Sequence, residues 1–455
     1  MTPLYLLLIL EIVILNISLL LCGKDILNPA NVFVFVFTFS IIIATMYINN
    51  WKLVNTYHWE AMEIILSGSL LFVIVDFLVR EGVKGKKYLY YNKGRDELYI
   101  SKYKILLINA LDLFILLLAY RYIKGIVGAY GSGASSFGSL GSTFRSVYGH
   151  SNEVSASDQM SSFLRYAIYL LQSSAYVTLY PFVNNVFIKK DGFRRNILYL
   201  LPSIIFVVYG ILCGSRGDML KIVISGFTIF YILFLKNNGW KNKNIGRIIR
   251  RGIKTIVAVL LAFFGMSILV GRSAVGNSTI LNSLFMQIAG YAGAPIVHFS
   301  QYFDKPVSTI TPGEECFTNL YEFLQSHGFS GINAVKHLEY NRLVGGIYGN
   351  VYTFFRRPLH DFGIVGMYVY LLLFAVFICV FYYRFIKYAN YRSKDLFGIL
   401  LIIYSNLFQW VAYASIDQIS GEFISPSFLF RVFAIILIYL FLYNFDIKRL
   451  KITIL

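Results

Sequence analysis

The amino-acid sequence predicts an all-α polytopic integral membrane protein with about eleven transmembrane helices and one large extracytoplasmic loop. Of its 455 residues, 57% are hydrophobic and 14% are charged, whereas soluble domains carry about 25% charged residues. Apolar stretches of about 20 residues recur along the chain, and each is long enough to cross a bilayer as a helix. Basic residues alternate with these stretches, as in the cytoplasmic loops of membrane proteins. These observations exclude a soluble multidomain enzyme.

The predicted spans follow one another from the N-terminus. In chain order they are 3–22, 31–48, 61–79, 105–123, 163–188, 197–213, 218–235, 254–271, 362–385, 396–414 and 428–445. Two basic segments, 80–104 and 236–254, are expected to face the cytoplasm. This arrangement places the N-terminus outside and the C-terminus inside. The formal net charge of +18 therefore indicates membrane orientation, and no nucleic-acid partner is expected.

These spans divide the chain into three predicted segments. An N-terminal transmembrane bundle at 1–271 holds about eight spans, a large extracytoplasmic loop follows at 272–361, and a C-terminal bundle at 362–455 holds about three spans. The first bundle includes an outside loop at 122–162. Because this loop is rich in Gly and Ser around 131–139, it is predicted to be flexible.

The large outside loop is expected to contain re-entrant or amphipathic helices. Its apolar stretch 281–299 is interrupted by Gly and Pro, which favours a re-entrant or interfacial segment over a full span. Farther along, Ile332, Val335, Leu338 and Arg342 share one helical face. This spacing predicts a short amphipathic helix lying on the membrane.

Several kinds of chemistry are absent from the sequence. The four cysteines are scattered without a Cys-x-x-Cys pair, so neither a disulfide framework nor a zinc site is predicted. The sequence also lacks a Walker phosphate loop, a His-Glu-x-x-His motif, a Gly-x-Ser-x-Gly motif and an Asp-x-Asp pair. We therefore expect a protein that uses neither a metal ion nor a cofactor.

A short turn between two spans, CGSRGDM at 213–219, is the first candidate site. It holds Arg216 at the outer membrane boundary between two glycines. A guanidinium group binds phosphate oxygens bidentately, so this position suits a phosphate ligand. The alternative is an orienting anchor that contacts lipid headgroups.

A second candidate site precedes the predicted span at 362–385. Arg356, Arg357, His360 and Asp361 lie within two helical turns of each other. They supply cations for an anionic leaving group and a group that can take a proton, although charges at a helix entry also serve as interface anchors. Arg272, at the end of another predicted span, is a third cation on the same side.

Ionisable residues also occur inside the predicted spans. Glu11, Asp76 and Asp112 lie in otherwise apolar stretches. Such groups are costly to bury in a bilayer and are functional candidates for that reason. Interhelical hydrogen bonding is the alternative role for each of them.

Two short motifs resemble those of the O-antigen polymerase (Wzy) family, the oligosaccharide repeat-unit polymerases. They are GSRG at 214–217, between two spans, and NVYT at 350–353 followed by DFGIVG at 361–366, which leads into a span. The chain length, the number of spans and the large outside loop are also similar. The resemblance implies a fold like that of the C-type membrane glycosyltransferases (GT-C). It also implies that a glycan passes from one undecaprenyl-pyrophosphate carrier to a sugar hydroxyl on another.

The resemblance implies that Arg216 and Asp218 lie at the lipid pyrophosphate, and that Arg356, Arg357, His360 and Asp361 lie at the junction of the large loop and the next span. In such a reaction the departing pyrophosphate needs cations and the acceptor hydroxyl needs a base. We therefore expect Arg216 and Arg272 with Arg356 or Arg357 to form a cationic clamp that makes a metal ion unnecessary. We expect His360 to act as the base, with Asp361 as its alternative or its orienting partner. Aromatic rings stack on sugar faces, and the residues placed to meet a glycan are Asn350, Tyr348, Tyr352 and Tyr291.

The same resemblance implies where the protein works and with what. Its expected partners are the lipid-linked oligosaccharide, as both donor and acceptor, the lipid bilayer, and a chain-length regulator protein as a candidate. The expected location is the bacterial cytoplasmic (inner) membrane, with the active site facing the periplasm or the cell exterior and a cytoplasmic C-terminus. The alternatives are an O-antigen ligase, which needs the same donor site, and a flippase or transporter of lipid-linked sugars.

Overall fold

The computed structural model describes residues 2–22, 25–54, 56–83, 98–130, 137–150, 159–215, 217–240, 285–335, 337–344, 348–388 and 394–444. Within these ranges the protein is almost entirely helical. Its α-helices are α1 (Pro3–Leu21), α2 (Pro29–Met46), α3 (Trp59–Val83), α4 (Lys102–Tyr130), α5 (Phe137–His150), α6 (Ser162–Val183), α7 (Phe193–Leu212), α8 (Gly217–Asn237), α9 (Ala294–Gln301), α10 (Thr318–Ser326), α11 (Arg356–Val380), α12 (Lys394–Ala412) and α13 (Pro426–Tyr443). Two short strands, β1 (Asn341–Arg342) and β2 (Tyr348–Gly349), pair antiparallel.

Shorter helical turns extend several of these helices. Three π-helical turns occur in the described residues, Asn184–Ile188 after α6, Ala289–Gly293 before α9 and Phe381–Lys387 after α11. A 3-10 turn at Ser420–Ile424 precedes α13. The interrupted apolar stretch predicted at 281–299 is therefore helical from Phe285, with the π turn at its glycines.

In the part of the chain that is described, nine helices are long and apolar enough to cross a membrane. They are α1, α2, α3, α4, α7, α8, α11 with its π turn, α12 and α13, and each corresponds to a predicted span. The fold class is thus that of an all-α polytopic membrane protein. The span predicted at 163–188 is α6, which does not meet the same criterion, and the span predicted at 254–271 lies outside the described residues.

Helix α6 is less apolar than a typical span, and other helices surround its second half. It packs against α4, α7 and α8, and its second half from Leu171 to Val183 is buried on every side. Polar residues such as Gln172 and Ser173 can occupy this helix since they face protein. Among them, Ser174 donates a hydrogen bond of 2.7 Å to Asp112, so one intramembrane carboxylate serves as an interhelical partner.

The chain forms two compact units, each built from separated stretches. The first unit contains Met1–Leu89, Ala274–Asn390 and Leu407–Phe428, and the second contains Tyr90–Ser273, Tyr391–Asn406 and Leu429–Leu455. In the first unit, α1, α2 and α3 pack on one another, α11 packs on α3, and α9 packs on α2. In the second, α4 to α8 pack together. Neither unit coincides with a single segment predicted from chain order.

Asp76 links four elements of the first unit. Its carboxylate accepts hydrogen bonds from Asn28 at 3.1 Å and from Tyr383 at 2.9 Å. The thiols of Cys22 and Cys379 donate to it at 3.1 and 3.3 Å. Because these donors come from both ends of the unit's sequence, Asp76 acts as an interhelical hydrogen-bond acceptor.

The predicted flexibility of the outside loop at 122–162 is wrong for residues 137–150, which form α5. Leu140, Phe144 and Val147 recur at helical spacing and are buried against α4 and against Leu212 of α7. An apolar helical face within the Gly- and Ser-rich stretch therefore outweighs its turn-forming composition.

The amphipathic helix predicted from Ile332, Val335, Leu338 and Arg342 is also absent. The described residues between 332 and 340 are non-helical, and Arg342 belongs to β1. The backbone N–H of Val335 donates 3.0 Å to the Glu314 carbonyl instead of to a carbonyl four residues earlier. Hydrogen bonds to a distant turn thus replace those of a helix.

We expect Asp76→Ala to lower the free energy of unfolding by about 2–4 kcal/mol, because it leaves several buried donors unsatisfied and each costs about 1–3 kcal/mol. Thermal unfolding of the purified protein in detergent measures this. The control is Glu60→Ala in the first turn of α3, whose side chain is 62% exposed. Equal unfolding temperatures for the two variants would contradict the role of Asp76.

Candidate functional site

Arg356, Arg357, His360 and Asp361 lie at the start of α11, where the sequence predicts a site. The structure brings them together with the turn at 311–317, and all of these residues belong to the first unit. The helix changes direction just beyond them, at Gly363, whose φ of 66° is one that glycine adopts without strain. The charged residues therefore occupy a short helical turn of their own ahead of the long apolar part of α11.

Arg356 is fully buried and paired with two carboxylates. Its Nη1 lies 2.7 Å from Glu315 Oε2, and its Nη2 lies 2.9 and 3.1 Å from the two carboxylate oxygens of Glu339. The guanidinium carbon lies 3.9 Å from the centre of the Tyr302 ring, which adds a cation–π contact. A buried charge of this kind is stable only with such partners.

Arg357 is paired as well, with a different carboxylate. Its Nε and Nη2 donate to Asp417 at 3.0 and 3.3 Å, and its Nη1 donates to the Glu315 carbonyl at 3.1 Å. Asp417 lies in the segment that follows α12. Both arginines of the predicted site therefore hold protein carboxylates.

His360 is buried between two consecutive glutamates. Its Nε2 lies 3.0 Å from Glu314 Oε1 and 3.5 Å from Glu315 Oε1, and the three side chains are 1–3% exposed. Its Nδ1 is buried and has no hydrogen-bond partner among the described residues. This arrangement can hold a proton on Nε2 and leave the Nδ1 lone pair available.

Asp361 fixes the turn that carries these glutamates. Its two carboxylate oxygens accept hydrogen bonds from the backbone N–H groups of Glu315, at 3.2 Å, and Cys316, at 2.7 Å. The other side of the turn packs closely on Gly421, where a Cβ atom would come 1.7 Å from the Cys316 carbonyl oxygen. Asp361 thus orients the turn, and the carboxylates that contact His360 are those of Glu314 and Glu315.

The adjacent glutamates have pKa values shifted in opposite directions. Burial opposes ionisation of Glu314, but hydrogen bonds outweigh it and hold the pKa of Glu314 below its usual value. The donors are the side chains of His360 and Asn333 and the backbone N–H groups of Ile310 and Thr311. Burial raises the pKa of Glu315 to about 7, although the charges of Arg356, His360 and Arg357 act against it. Such separated pKa values are typical of acid–base sites.

Three of the other predicted site residues are not part of this cluster as described. Arg216 and Arg272 are not among the described residues. Asp218 lies in the first turn of α8, in the second unit, where it is 3.5 Å from Lys221.

The four residues predicted to meet a glycan lie in the first unit. Tyr352 is buried beside Arg356 and donates 3.1 Å to the Glu339 carbonyl. Tyr348 is in β2 and pairs with Arg342. Asn350 and Tyr291 are half-buried.

Sequence reasoning missed the acidic residues of this site. Glu314, Glu315, Glu339 and Asp417 were not singled out, although a buried Arg or His requires a counter-charge. The sequence does carry a signal for Glu314 and Glu315, because they are consecutive glutamates directly after Pro312 and Gly313 in the predicted outside loop. In the described residues no group of three or more His, Cys, Asp or Glu side chains is arranged to hold a metal ion.

The raised pKa of Glu315 predicts a pH dependence of stability. The folded protein keeps a proton on Glu315 up to about pH 7, whereas the unfolded chain releases it at about 4.3. This contribution to stability is complete below about pH 4.3 and is lost as the pH rises through 7. We expect a higher unfolding temperature at pH 6 than at pH 8, and a smaller difference in Glu315→Gln. An unchanged difference in the variant would contradict the assignment.

Arg356→Ala is expected to lower the free energy of unfolding by about 3–5 kcal/mol, because it leaves the buried carboxylate of Glu315 without its counter-charge. Adding Glu315→Gln to this variant should restore part of the loss. Arg342→Ala, at an exposed position, is the control for loss of a positive charge. Denaturation in detergent measures all four proteins, and an Arg356→Ala protein as stable as the wild type would refute the buried pairing.

Comparisons with protein-family models, with curated proteins and with solved structures found no match to this chain.

Proposed function

We propose that this protein polymerises undecaprenyl-pyrophosphate-linked oligosaccharide repeat units of a surface polysaccharide, such as O-antigen or capsule. It would do so as a metal-independent glycosyltransferase with a GT-C-like fold in the bacterial cytoplasmic membrane. The observation that carries the proposal is His360, buried against Glu314 and Glu315 with its Nδ1 unpartnered among the described residues. This is an arrangement suited to general base catalysis.

In the proposed reaction, a hydroxyl of the acceptor sugar attacks the first sugar of the donor. The bond between that sugar and the pyrophosphate breaks, and the pyrophosphate leaves with the electron pair. His360 Nδ1 takes the hydroxyl proton, and Glu314, held ionised by its hydrogen bonds, orients the imidazole through Nε2. The glycan is then attached to the acceptor carrier.

The pairing of the arginines changes which cations would receive the pyrophosphate. Arg356 and Arg357 already neutralise protein carboxylates, so in this proposal they position the turn and the base. Arg216 and Arg272 then carry the pyrophosphate clamp, since a departing diphosphate needs cationic donors. Asp218, two residues after Arg216 in the sequence, stays part of the proposed pyrophosphate site.

In this proposal, residues of the segment before α11 contact the glycan. Tyr352 is fully buried and supports Glu339, which leaves Tyr348 and Asn350 as the glycan contacts on that segment, with Tyr291. The proposal places this site on the periplasmic or exterior side, with the C-terminus cytoplasmic. A chain-length regulator protein remains a proposed partner.

The test is the size distribution of surface glycan on gels, in cells that lack the protein and are complemented with variants. Wild type should restore a ladder, and Arg216→Ala and His360→Ala should not, because loss of a general base lowers rates about 10²–10⁴-fold. The matched control for the histidine is His327→Ala, an exposed histidine on the same segment whose Nδ1 contacts the Phe323 carbonyl.

The deletion phenotype separates the alternatives. Glycan capped by a single repeat unit in the deletion cells supports a polymerase. Loss of all surface glycan, including the single unit, would instead point to a ligase or a flippase and would overturn the proposal. A ladder from stably expressed His360→Ala would remove His360 from the reaction.

A further inference from the structure

Two consecutive carboxylates reach the same nitrogen of His360. Glu314 Oε1 and Glu315 Oε1 lie 3.0 and 3.5 Å from Nε2. The tight turn at 311–317, fixed by Asp361 through two backbone N–H groups, brings both side chains to the imidazole. The Glu314 carboxylate alone is enough to orient the imidazole ring. The Glu315 carboxylate can therefore have a second role.

The two carboxylates differ in how many other donors they bind. Glu314 accepts hydrogen bonds from Asn333 at 2.7 Å and from the N–H groups of Ile310 and Thr311 at 3.1 Å each. These bonds favour its ionised form. In Glu315, Oε2 contacts Arg356 and Oε1 faces His360. Glu315 can therefore receive a proton on Oε1 without breaking its bond to Arg356.

The electrostatic surroundings of Glu315 determine where a proton can reside. Charged and titratable groups from five stretches of the chain surround it. Four belong to α11: Arg356, Arg357, His360 and Asp361. The others are Tyr302 after α9, Glu339 beyond Arg356, Tyr352 before α11, and Glu314 and Cys316 in the same turn as Glu315. Burial outweighs the attraction of the cations and raises the pKa of Glu315 to about 7. A group with such a pKa accepts and releases a proton readily near neutral pH.

We propose that Glu315 takes the proton from His360 Nε2 when His360 Nδ1 receives one from the acceptor hydroxyl. This inference rests on the proposed function. In the step, the hydroxyl O–H bond breaks and an Nδ1–H bond forms, while the Nε2–H bond breaks and an Oε1–H bond forms on Glu315. His360 thus remains neutral overall, and Glu315 later releases the proton to water. Glu315 acts through His360 and does not touch the sugar.

A purely structural role for Glu315, as counter-ion to Arg356, makes different predictions. It predicts a loss of stability in Glu315→Gln without any change in how activity depends on pH. A proton acceptor must be ionised, so the relay predicts that wild-type activity declines as the pH falls through about 7. It also predicts that removing Glu315 abolishes this particular decline.

The first experiment uses purified full-length protein in nanodiscs and requires no substrate. Infrared spectroscopy follows the carbonyl stretch of protonated carboxyl groups as the pH is raised from 5 to 9. Other buried carboxyl groups contribute to the same absorption, so the difference between variants is what is measured. We expect the absorption lost near pH 7 to be the same in the wild type and in Glu314→Gln and smaller by about one carboxyl group in Glu315→Gln. An equal loss in Glu315→Gln would refute the assignment of the proton to Glu315, whatever the function of the protein.

The second experiment measures elongation of lipid-linked glycan extracted from cells that lack the protein. At pH 8, Glu315→Gln should slow elongation about 10-fold, less than the about 10²-fold or greater loss expected from removing the base, and its rate should not decline near pH 7. Glu314→Gln should slow elongation yet keep that decline. Fluorescence-detected size exclusion confirms that each variant is folded.

The outcomes separate failure of the relay from failure of the function. If wild type elongates the glycan and Glu315→Gln shows the same pH profile as wild type, the relay is wrong and the polymerase proposal stands. If folded wild type elongates no glycan, the proposed function fails. In that case the infrared band still decides whether Glu315 holds the proton.

Discussion

The burial of the Arg356 guanidinium is the constraint on which the rest of the site depends. A charge with no exposed surface must be neutralised by protein groups, and Glu315 and Glu339 come from two separate stretches of the chain to do this. Their attraction draws the turn at 311–317 and the segment at 337–344 onto the start of α11. This turn also places the Glu314 side chain within hydrogen-bond distance of His360. One buried cation thereby organises the acid–base groups around the imidazole.

The same pairing separates the roles of the charged residues. An arginine that already binds two carboxylates has little affinity left for a pyrophosphate, so Arg356 holds the architecture, and in the proposed reaction the anion would meet other cations. Asp361 likewise holds backbone N–H groups rather than the imidazole. The two atoms that can still accept a proton are Nδ1 of His360 and Oε1 of Glu315. The cluster is therefore better suited to moving a proton than to binding an anion.

The sequence predicts what depends on local pattern and misses what depends on distant contacts. Apolar runs predict nine described spans because bilayer thickness sets their length, and the charges at 356–361 mark the site because they come immediately before such a run. The acidic partners of Arg356 and His360 lie 17 to 46 residues away in the chain, where no periodicity connects them. For the same reason α5 and the non-helical stretch near Val335 were mispredicted, since tertiary packing and distant hydrogen bonds outweighed local composition.

Reconstitution tests the central claim most directly. Purified protein in proteoliposomes would be given lipid-linked repeat units extracted from cells that lack it, and the products would be separated by size. The account predicts a ladder of longer glycans with the wild type and with His327→Ala, and none with folded His360→Gln. A ladder of equal length from His360→Gln, or no elongation by folded wild type, would contradict it.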